Sequence, residues 1–297
     1  MINIMPAFLV RAFARPYVSG DSIAKGIQKA KDLWENDGIS STLDLLGEAV
    51  DTREMVEYNI ETYHTLIKML KDYEFATVSL KPTSLGIHES REYCLESMRS
   101  IMDVARENTV SITIDMEDHT FTDSTLDLYT TLLKEYPDLG TVLQSRMLRT
   151  EKDIENLKEV KARIRICIGI YNEPEEYALQ KKQDMKVKLL EYAQTLLEDG
   201  HYVEFATHDI EYIEKMLDVA KEKGYTSEQL EFQQLLGVPM KSTQTKILDA
   251  GYKNRLYVPF ATNWKFATPY LKRRLNNNPR MAWYVIHQGF KRIFRRS

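Results

Sequence analysis

One pattern recurs eight times along this chain: a short run rich in β-branched and apolar residues, then a polar stretch with apolar residues at helical spacing. The runs are 41–48, 75–86, 111–118, 140–148, 162–171, 201–210, 230–237 and 255–261. Strands that alternate with helices predict an α/β fold with a parallel sheet covered by helices. Eight units without a long insertion favour closure into a (β/α)8 TIM-type barrel over an open, doubly wound sheet.

Two further segments flank the predicted barrel, and we interpret the whole of 1–297 as one domain. An N-terminal helical segment, 1–40, contains a helix at 22–36 that we expect to pack on the barrel, which itself spans 41–278. The tail 279–297 is basic, lacks acidic residues and carries an aromatic and aliphatic stripe at helical spacing. This C-terminal helix either packs on the barrel or lies on a membrane surface as a peripheral contact.

The composition argues against several classes of protein, including nucleic-acid-binding, disulfide-rich and membrane-spanning proteins. Of the 297 residues, 43% are hydrophobic and 28% charged, and the net charge of −4 gives no case for nucleic-acid binding. Cys94 and Cys167 form no CxxC pair, so we expect neither a disulfide framework nor a metal site, and a cytoplasmic location is the default. No apolar run approaches the roughly 18 residues that span a bilayer. The N-terminus lacks a clear signal-peptide core, and the oligomeric state stays open.

Polar residues recur where the predicted strands end, which is where barrels of this kind carry their sites. The strand-end residues are Lys81, Asp115, Glu117, Gln144, Arg146, Arg165, Thr207, His208, Glu231, Gln233 and Tyr257. Any one of them could instead face a helix or solvent. Arg273 and Arg274 are adjacent, and two guanidinium groups together suit a carboxylate or phosphate. The residues alone therefore predict a barrel enzyme with a cationic pocket built by Lys81, Arg165 and this arginine pair. No GxG, HExxH or GxSxG motif occurs.

A set of motifs in order resembles a known family. They are LDLLGE, SLKPTSLG, TIDMED, VLQSRMLRT, RICIGIYNEP, FATHD, LEFQQLLG and YVPF followed by YLKRRL. Together they resemble the catalytic barrel of the proline dehydrogenase family, over about residues 18–278. The resemblance implies FAD-dependent oxidation of L-proline to Δ1-pyrroline-5-carboxylate by hydride transfer to flavin N5. This is the first step of proline catabolism, and the electrons pass on to a quinone.

The resemblance also implies roles for individual residues. Arg273 and Arg274 would clamp the proline carboxylate, and Lys81 would add a third positive charge. Tyr257 and Tyr270 would wall the proline ring. Asp115, which orders the pocket, and Arg165, near flavin N5, would be the catalytic residues. The implied cofactor-binding residues are Met116, Gln144, Arg165, Ile168, Gly169, Ile170, Thr207 and His208.

Three departures from the family pattern stand out. Ile168 replaces a usual lysine, and Asn277 replaces a frequent glutamate; both bear on FAD affinity. Ala261 replaces a usual glycine and bears on the path of the chain after the eighth strand.

Two other functions remain open at this point. A cofactor-free barrel lyase would use Lys81 as a Schiff-base residue and the arginines for phosphate. A non-catalytic relative would bind a ligand without the flavin. Flavin colour, borohydride trapping at Lys81 and the response to added FAD distinguish the three.

Overall fold

The computed structural model describes residues 17–47, 50 and 52–262 of the chain. Predictions for Tyr270, Arg273, Arg274 and Asn277, for the start of the N-terminal segment and for the tail 279–297 lie outside the described residues.

Eight parallel strands close into a barrel in chain order, which confirms the predicted (β/α)8 architecture. The strands are β1 (Ser40–Leu45), β2 (Ala76–Leu80), β3 (Ile112–Ile114), β4 (Gly140–Gln144), β5 (Arg163–Cys167), β6 (Tyr202–Ala206), β7 (Leu230–Leu235) and β8 (Lys253–Phe260). The helices among the described residues are α1 (Ile23–Asp37), α2 (Arg53–Leu70), α3 (Arg91–Glu107), α4 (Thr122–Leu133), α5 (Thr150–Leu157), α6 (Lys182–Glu198), α7 (Ile210–Lys223) and α8 (Lys241–Asp249). In that part of the chain no helix is long and apolar enough to cross a membrane.

Helix α1 packs across β1 and β8, the two strands whose pairing closes the barrel, as predicted for 22–36. It begins after Ser22, whose side chain accepts a hydrogen bond from the Lys25 N–H, and it ends at Gly38, which adopts a left-handed φ of 65°. At Gly26 an added Cβ would lie 3.3 Å from the Phe260 ring, so a small residue there permits the close approach.

The strands present two chemically different faces. Outward residues such as Leu43, Val78 and Phe205 are fully buried in the apolar layer beneath the helices. Inward residues such as Asp44, Arg165 and Gln233 are polar or charged and hydrogen-bond across the barrel, whereas Asn254 and Gln234 alternate with them and bond to each other at 2.8 Å. The first seven strands are also shorter than the predicted runs, because the polar ends of those runs continue into the loops that carry the site, whereas β8 begins two residues earlier than predicted.

An ionic layer fills the N-terminal half of the barrel interior. Arg163 donates to Glu204 at 2.6 Å, and Arg255 donates to Glu231 at 2.7 Å. Burial by itself raises the pKa of the Glu204 carboxyl, but Arg163 and the other nearby arginines lower it below its usual value. The prediction that placed Glu231 at a strand end is wrong: it is the second residue of β7 and belongs to this lower layer.

Replacing Glu231 by Gln should destabilise the protein, because the buried Arg255 guanidinium would lose its counter-charge. Breaking a buried ion pair from one side costs about 3–5 kcal/mol. The measurement is the free energy of unfolding in denaturant, compared with that of the parent protein. The control is Glu89→Gln, at the exposed pair with Arg53, which should leave the midpoint unchanged. Equal shifts in both variants would contradict a stabilising role for the buried layer.

Candidate active site

A cavity of about 450 Å³ opens at the C-terminal mouth of the barrel. Every residue to which the family resemblance assigns a role, within the described part of the chain, lines it: Lys81, Asp115, Met116, Gln144, Arg165, Ile168, Gly169, Ile170, Thr207, His208 and Tyr257. These residues come from six different strands or the loops that follow them, so closure of the barrel brings together positions up to 176 residues apart. The mouth of the barrel is therefore the candidate active site.

The Asp115 carboxylate is the centre of the polar cluster at the floor of the cavity. Its Oδ1 accepts hydrogen bonds from Arg165 Nη1 at 2.8 Å and from the Ser79 hydroxyl at 3.0 Å. Its Oδ2 accepts from Lys81 Nζ at 3.1 Å and from the Tyr257 hydroxyl. Burial raises the pKa of Asp115, but Lys81 and Arg165 outweigh burial and lower it below its usual value. The buried carboxylate therefore stays ionised at neutral pH.

Lys81 lies between two carboxylates. Its ammonium contacts Asp44, a fully buried residue of β1, as well as Asp115, and it donates to the Tyr257 hydroxyl at 3.1 Å. Of the four cations of the predicted pocket, Lys81 and Arg165 are both ion-paired inside the protein, and the other two lie outside the described residues. Two adjacent carboxylates also stabilise the charged ammonium, whereas a Schiff-base nucleophile must lose its proton. This arrangement disfavours the lyase alternative.

Arg165 is a buried cation with one unsatisfied donor. Its Nε donates to Gln233 Oε1 at 2.6 Å and lies 3.3 Å from a Glu204 carboxylate oxygen. Burial lowers the pKa of Arg165, but Glu204 and Asp115 raise it above its ordinary value, so the guanidinium stays charged. Within the described residues, its Nη2 is buried without a hydrogen-bond partner. A ligand with an acceptor atom would satisfy this donor.

Gln144 and Gly169 form one wall of the cavity. The Gln144 side-chain N–H donates to the Glu117 carbonyl at 2.8 Å, and this bond orients the amide. Its Oε1 is then buried and, among the described residues, without a donor. Gly169 lies against this oxygen with a φ of 100°, and an added Cβ would approach it to 2.1 Å. Only glycine fits there, and a ligand with an N–H could satisfy the Gln144 oxygen.

The opposite end of the cavity reaches the N-terminus of α7. Asp209 caps that helix by accepting the Tyr212 N–H, and its carboxylate pairs with Lys186. Lys182 and Lys186 both line the cavity. Helix N-termini and lysines together attract phosphate groups. An anionic ligand group such as a diphosphate would be attracted here by Lys182 and the helix N-terminus and would share Lys186 with Asp209.

His208 lies at the same end and has an assignable tautomer. The Leu235 N–H donates to His208 Nε2 at 2.9 Å, so this nitrogen carries no proton, and Nδ1 carries it in the neutral ring. Thr207 accepts the Asp209 N–H at 3.2 Å and thereby shapes the turn into α7.

The analysis of the sequence missed Asp44, Glu204 and the role of Gln233 in this cluster. Asp44 is the penultimate residue of β1, in the LDLLGE motif, and is paired in register with Ser79 of the neighbouring strand. An acidic residue at the end of the strand next to Lys81 was the available signal. Gln233 was named as a strand-end residue, but its contact with Arg165 depends on strands that are 68 residues apart.

Two of the three family departures fall on described residues. Ile168 is half-buried against the main apolar core and presents no cation to the cavity. Ala261 is fully buried, its N–H donates to the Gly20 carbonyl at 3.1 Å, and its φ is not positive. The backbone at this position therefore does not require glycine.

Comparison with known proteins identifies the family of this chain. The proline dehydrogenase family model matches residues 27–284. Proline dehydrogenase 2 of Bacillus subtilis (strain 168) is 34% identical over 270 residues, which cover 91% of this chain and 88% of the relative. The proline dehydrogenase of Deinococcus radiodurans is 33% identical over 287 residues, covering 94% of this chain and 90% of the relative.

Solved structures share the fold. Proline utilization A from Bdellovibrio bacteriovorus, inactivated by N-propargylglycine, superposes with a TM-score of 0.81 at 23% identity, over 90% of this chain and 33% of that one. A bifunctional proline utilization A protein gives a TM-score of 0.74 at 18% identity, over 90% of this chain and 30% of that one. The present chain spans about a third of the length of these proteins. With a family model that covers the barrel and relatives above 30% identity along nearly their whole length, this chain is an enzyme that belongs to the proline dehydrogenase family.

Proposed function

We propose that the protein is an FAD-dependent proline dehydrogenase that oxidises L-proline to Δ1-pyrroline-5-carboxylate and passes the electrons to a quinone. The observation that carries this proposal is the unsatisfied buried oxygen of Gln144 beside Gly169. An isoalloxazine ring presents an N–H and several acceptor atoms along its edges and is flat. The Gln144 acceptor, the Arg165 Nη2 donor and a wall without a Cβ fit such a group. The residues therefore fit a flavin.

The anionic half of FAD fits the other end of the cavity. Thr207 and His208 at the start of α7, with Lys182 and Lys186 beside them, would hold the diphosphate. The apolar side chains of Met116, Ile168 and Ile170 would line the path between the two ends. Ile168 then contributes shape, while the cations come from α6.

Proline would bind over the floor formed by Asp115, Lys81 and Tyr257. Asp115 holds the Tyr257 hydroxyl and the Lys81 ammonium in fixed positions, so the Tyr257 ring is a firm wall for the proline ring. Tyr270 would form a second wall. Arg273 and Arg274 would bind the carboxylate, because the described cations at the floor already have carboxylate partners.

When bound, the flavin supplies the acceptor, at N5, for a hydride from the ring carbon next to the proline nitrogen. Loss of that hydride, together with a proton from nitrogen, leaves the C=N bond of the product. Arg165 carries a permanent charge at the buried floor, where a preorganised cation stabilises negative charge that develops in the reaction. Asp115 orients Arg165 for this role through its 2.8 Å bond.

The first prediction tests the cofactor and the substrate together. The purified protein should be yellow, and anaerobic L-proline should bleach the flavin absorbance band. Gly169→Ala should lower flavin content strongly, because the new Cβ would overlap Gln144 Oε1. The control is Gly251→Ala, which has a similar positive φ of 86° but nothing within 4 Å of the new Cβ. Each variant bears about 1–2 kcal/mol of backbone strain, so only the Gly169 variant should lose flavin.

Other outcomes would reject this function. A colourless protein that takes up no FAD would favour a non-catalytic relative. Borohydride trapping of a carbonyl compound on Lys81 would favour the lyase.

The arginine pair provides the second prediction. Changing Arg273 or Arg274 to Met should raise the KM for proline more than tenfold, because loss of a charged partner costs about 2–5 kcal/mol. Flavin content should stay near that of the parent protein. Arg91→Met, at an exposed ion pair on α3, is the control. Unchanged proline kinetics in both the Arg273 and the Arg274 variant would show that these two arginines are ordinary surface charges.

The quinone acceptor gives a reason to test the tail 279–297 for peripheral membrane contact. A basic residue near an anionic surface contributes about 1 kcal/mol, so binding should be reversible and weakened by salt. The full chain should co-sediment with anionic but not neutral liposomes, and a version ending at Asn278 should lose this binding. Equal binding by both versions would show that the tail is not the contact, and unfolding on truncation would favour a tail that packs on the barrel.

A further inference from the structure

We propose that His119 is a positioning residue, which latches the segment 168–181 through Glu173 and thereby sets the affinity of the cavity for its cofactor. The segment connects β5 to α6, and its first four residues, 168–171, line the cavity. The proposal rests on the proposed function, because the affected ligand is the flavin.

The latch consists of two hydrogen bonds to one buried carboxylate. The His119 backbone N–H donates to Glu173 Oε1 at 3.1 Å, and His119 Nδ1 donates to Glu173 Oε2 at 2.6 Å. The Glu173 side chain is only 1% exposed, so its oxygens depend on these donors for their hydrogen bonds. The His119 ring stacks on Tyr177 of the same segment, with centroids 4.5 Å apart and an interplanar angle of 18°. One side chain thus contacts the segment at two points.

The rest of the segment is fixed to the loop after β4. The Leu148 N–H donates to the Tyr177 carbonyl at 2.9 Å, and the Leu179 N–H donates to the Arg146 carbonyl at 2.8 Å. Arg146 also donates through its guanidinium to the Tyr171 carbonyl. These bonds hold both sides of the stretch 172–176. The His119–Glu173 pair holds that stretch against the loop after β3.

The His119–Glu173 contact is connected, through the chain and through Gln144, to the cavity wall that Gly169 and Gln144 form. From Glu173 the chain runs back to Gly169, which lies against the Gln144 amide. That amide donates to the Glu117 carbonyl, two residues before His119. Release of Glu173 would therefore loosen Gly169 against Gln144. Flavin binding would weaken, because Gly169 and the Gln144 oxygen would no longer be held in the fixed relative position that the flavin needs.

The test compares three variants of the full chain. His119→Ala removes the side-chain donor and the stacking, whereas His119→Asn keeps a donor at the position of Nδ1. His88→Ala is the matched control, because His88 contacts Phe121 of the same β3–α4 loop edge-on at 5.2 Å, and no described contact joins it to Glu173. The readouts are FAD dissociation constants from titration of apoprotein, amide hydrogen exchange of a peptide covering 171–181, and the midpoint of global unfolding.

We expect His119→Ala to raise the FAD dissociation constant at least about tenfold, the ratio that 1.4 kcal/mol represents. Exchange in 171–181 should become faster while the global midpoint stays within the range of the His88 control. His119→Asn should recover most of the FAD affinity. A purely structural role would instead lower the midpoint and speed exchange throughout the barrel, and that result would overturn the proposal.

Two further outcomes separate this proposal from the proposed function. If the parent protein binds FAD and His119→Ala leaves its affinity or the local exchange unchanged, the latch is overturned and the proposed function stands. If the parent protein binds no FAD, the proposed function fails and the cofactor role of His119 fails with it.

Discussion

The Asp115 carboxylate is the interaction on which the interior of this barrel depends, because it accepts hydrogen bonds from Lys81, Arg165 and Tyr257 and thereby joins the ends of β2, β5 and β8. The described interior balances four cations against four anions: Lys81, Arg163, Arg165 and Arg255 against Asp44, Asp115, Glu204 and Glu231. Buried charges require such neutrality. The described cations at the floor are therefore already balanced by carboxylates, which supports the proposal that Arg273 and Arg274, and not Lys81 or Arg165, bind a substrate carboxylate.

The loops after β2, β3, β4 and β5 are linked in succession around one side of the mouth. Thr83 donates to the Glu117 carboxylate, Gln144 binds the Glu117 carbonyl, and Arg146 binds the Tyr171 carbonyl. The His119–Glu173 pair adds a link between the second and fourth of these loops. Each link is a side chain of one loop satisfying a group of another. A wall built this way is ordered before a ligand arrives, so less conformational entropy is lost on binding.

Much of the fold, and part of the site, could be predicted from the sequence, for reasons that particular residues show. The eight strands were recognisable because outward residues such as Val78 and Phe205 must be apolar beneath helices. The end of each strand was harder to predict, because a charged residue inside the barrel, such as Glu231, cannot be distinguished by residue type from one at the mouth. The partnership of Asp44 with Lys81 requires the register of neighbouring strands. The His119–Glu173 pair joins two loops 54 residues apart, and no periodicity predicts such a contact.

The departures from the family pattern differ in their effects, because some positions have an electrostatic requirement and others a steric one. A positive charge acts on a phosphate over several ångströms, so the cation that attracts it need not come from one particular element. Ile168 carries no charge, but Lys182 and Lys186 on α6 also line the cavity and could attract a phosphate there. Ala261 tolerates the loss of a glycine because its backbone stays in an ordinary region. Gly169 has no such freedom, since a Cβ 2.1 Å from Gln144 overlaps an oxygen that is itself fixed. Electrostatic needs in this cavity can therefore be met from several positions, whereas the steric need at Gly169 can be met by one residue type.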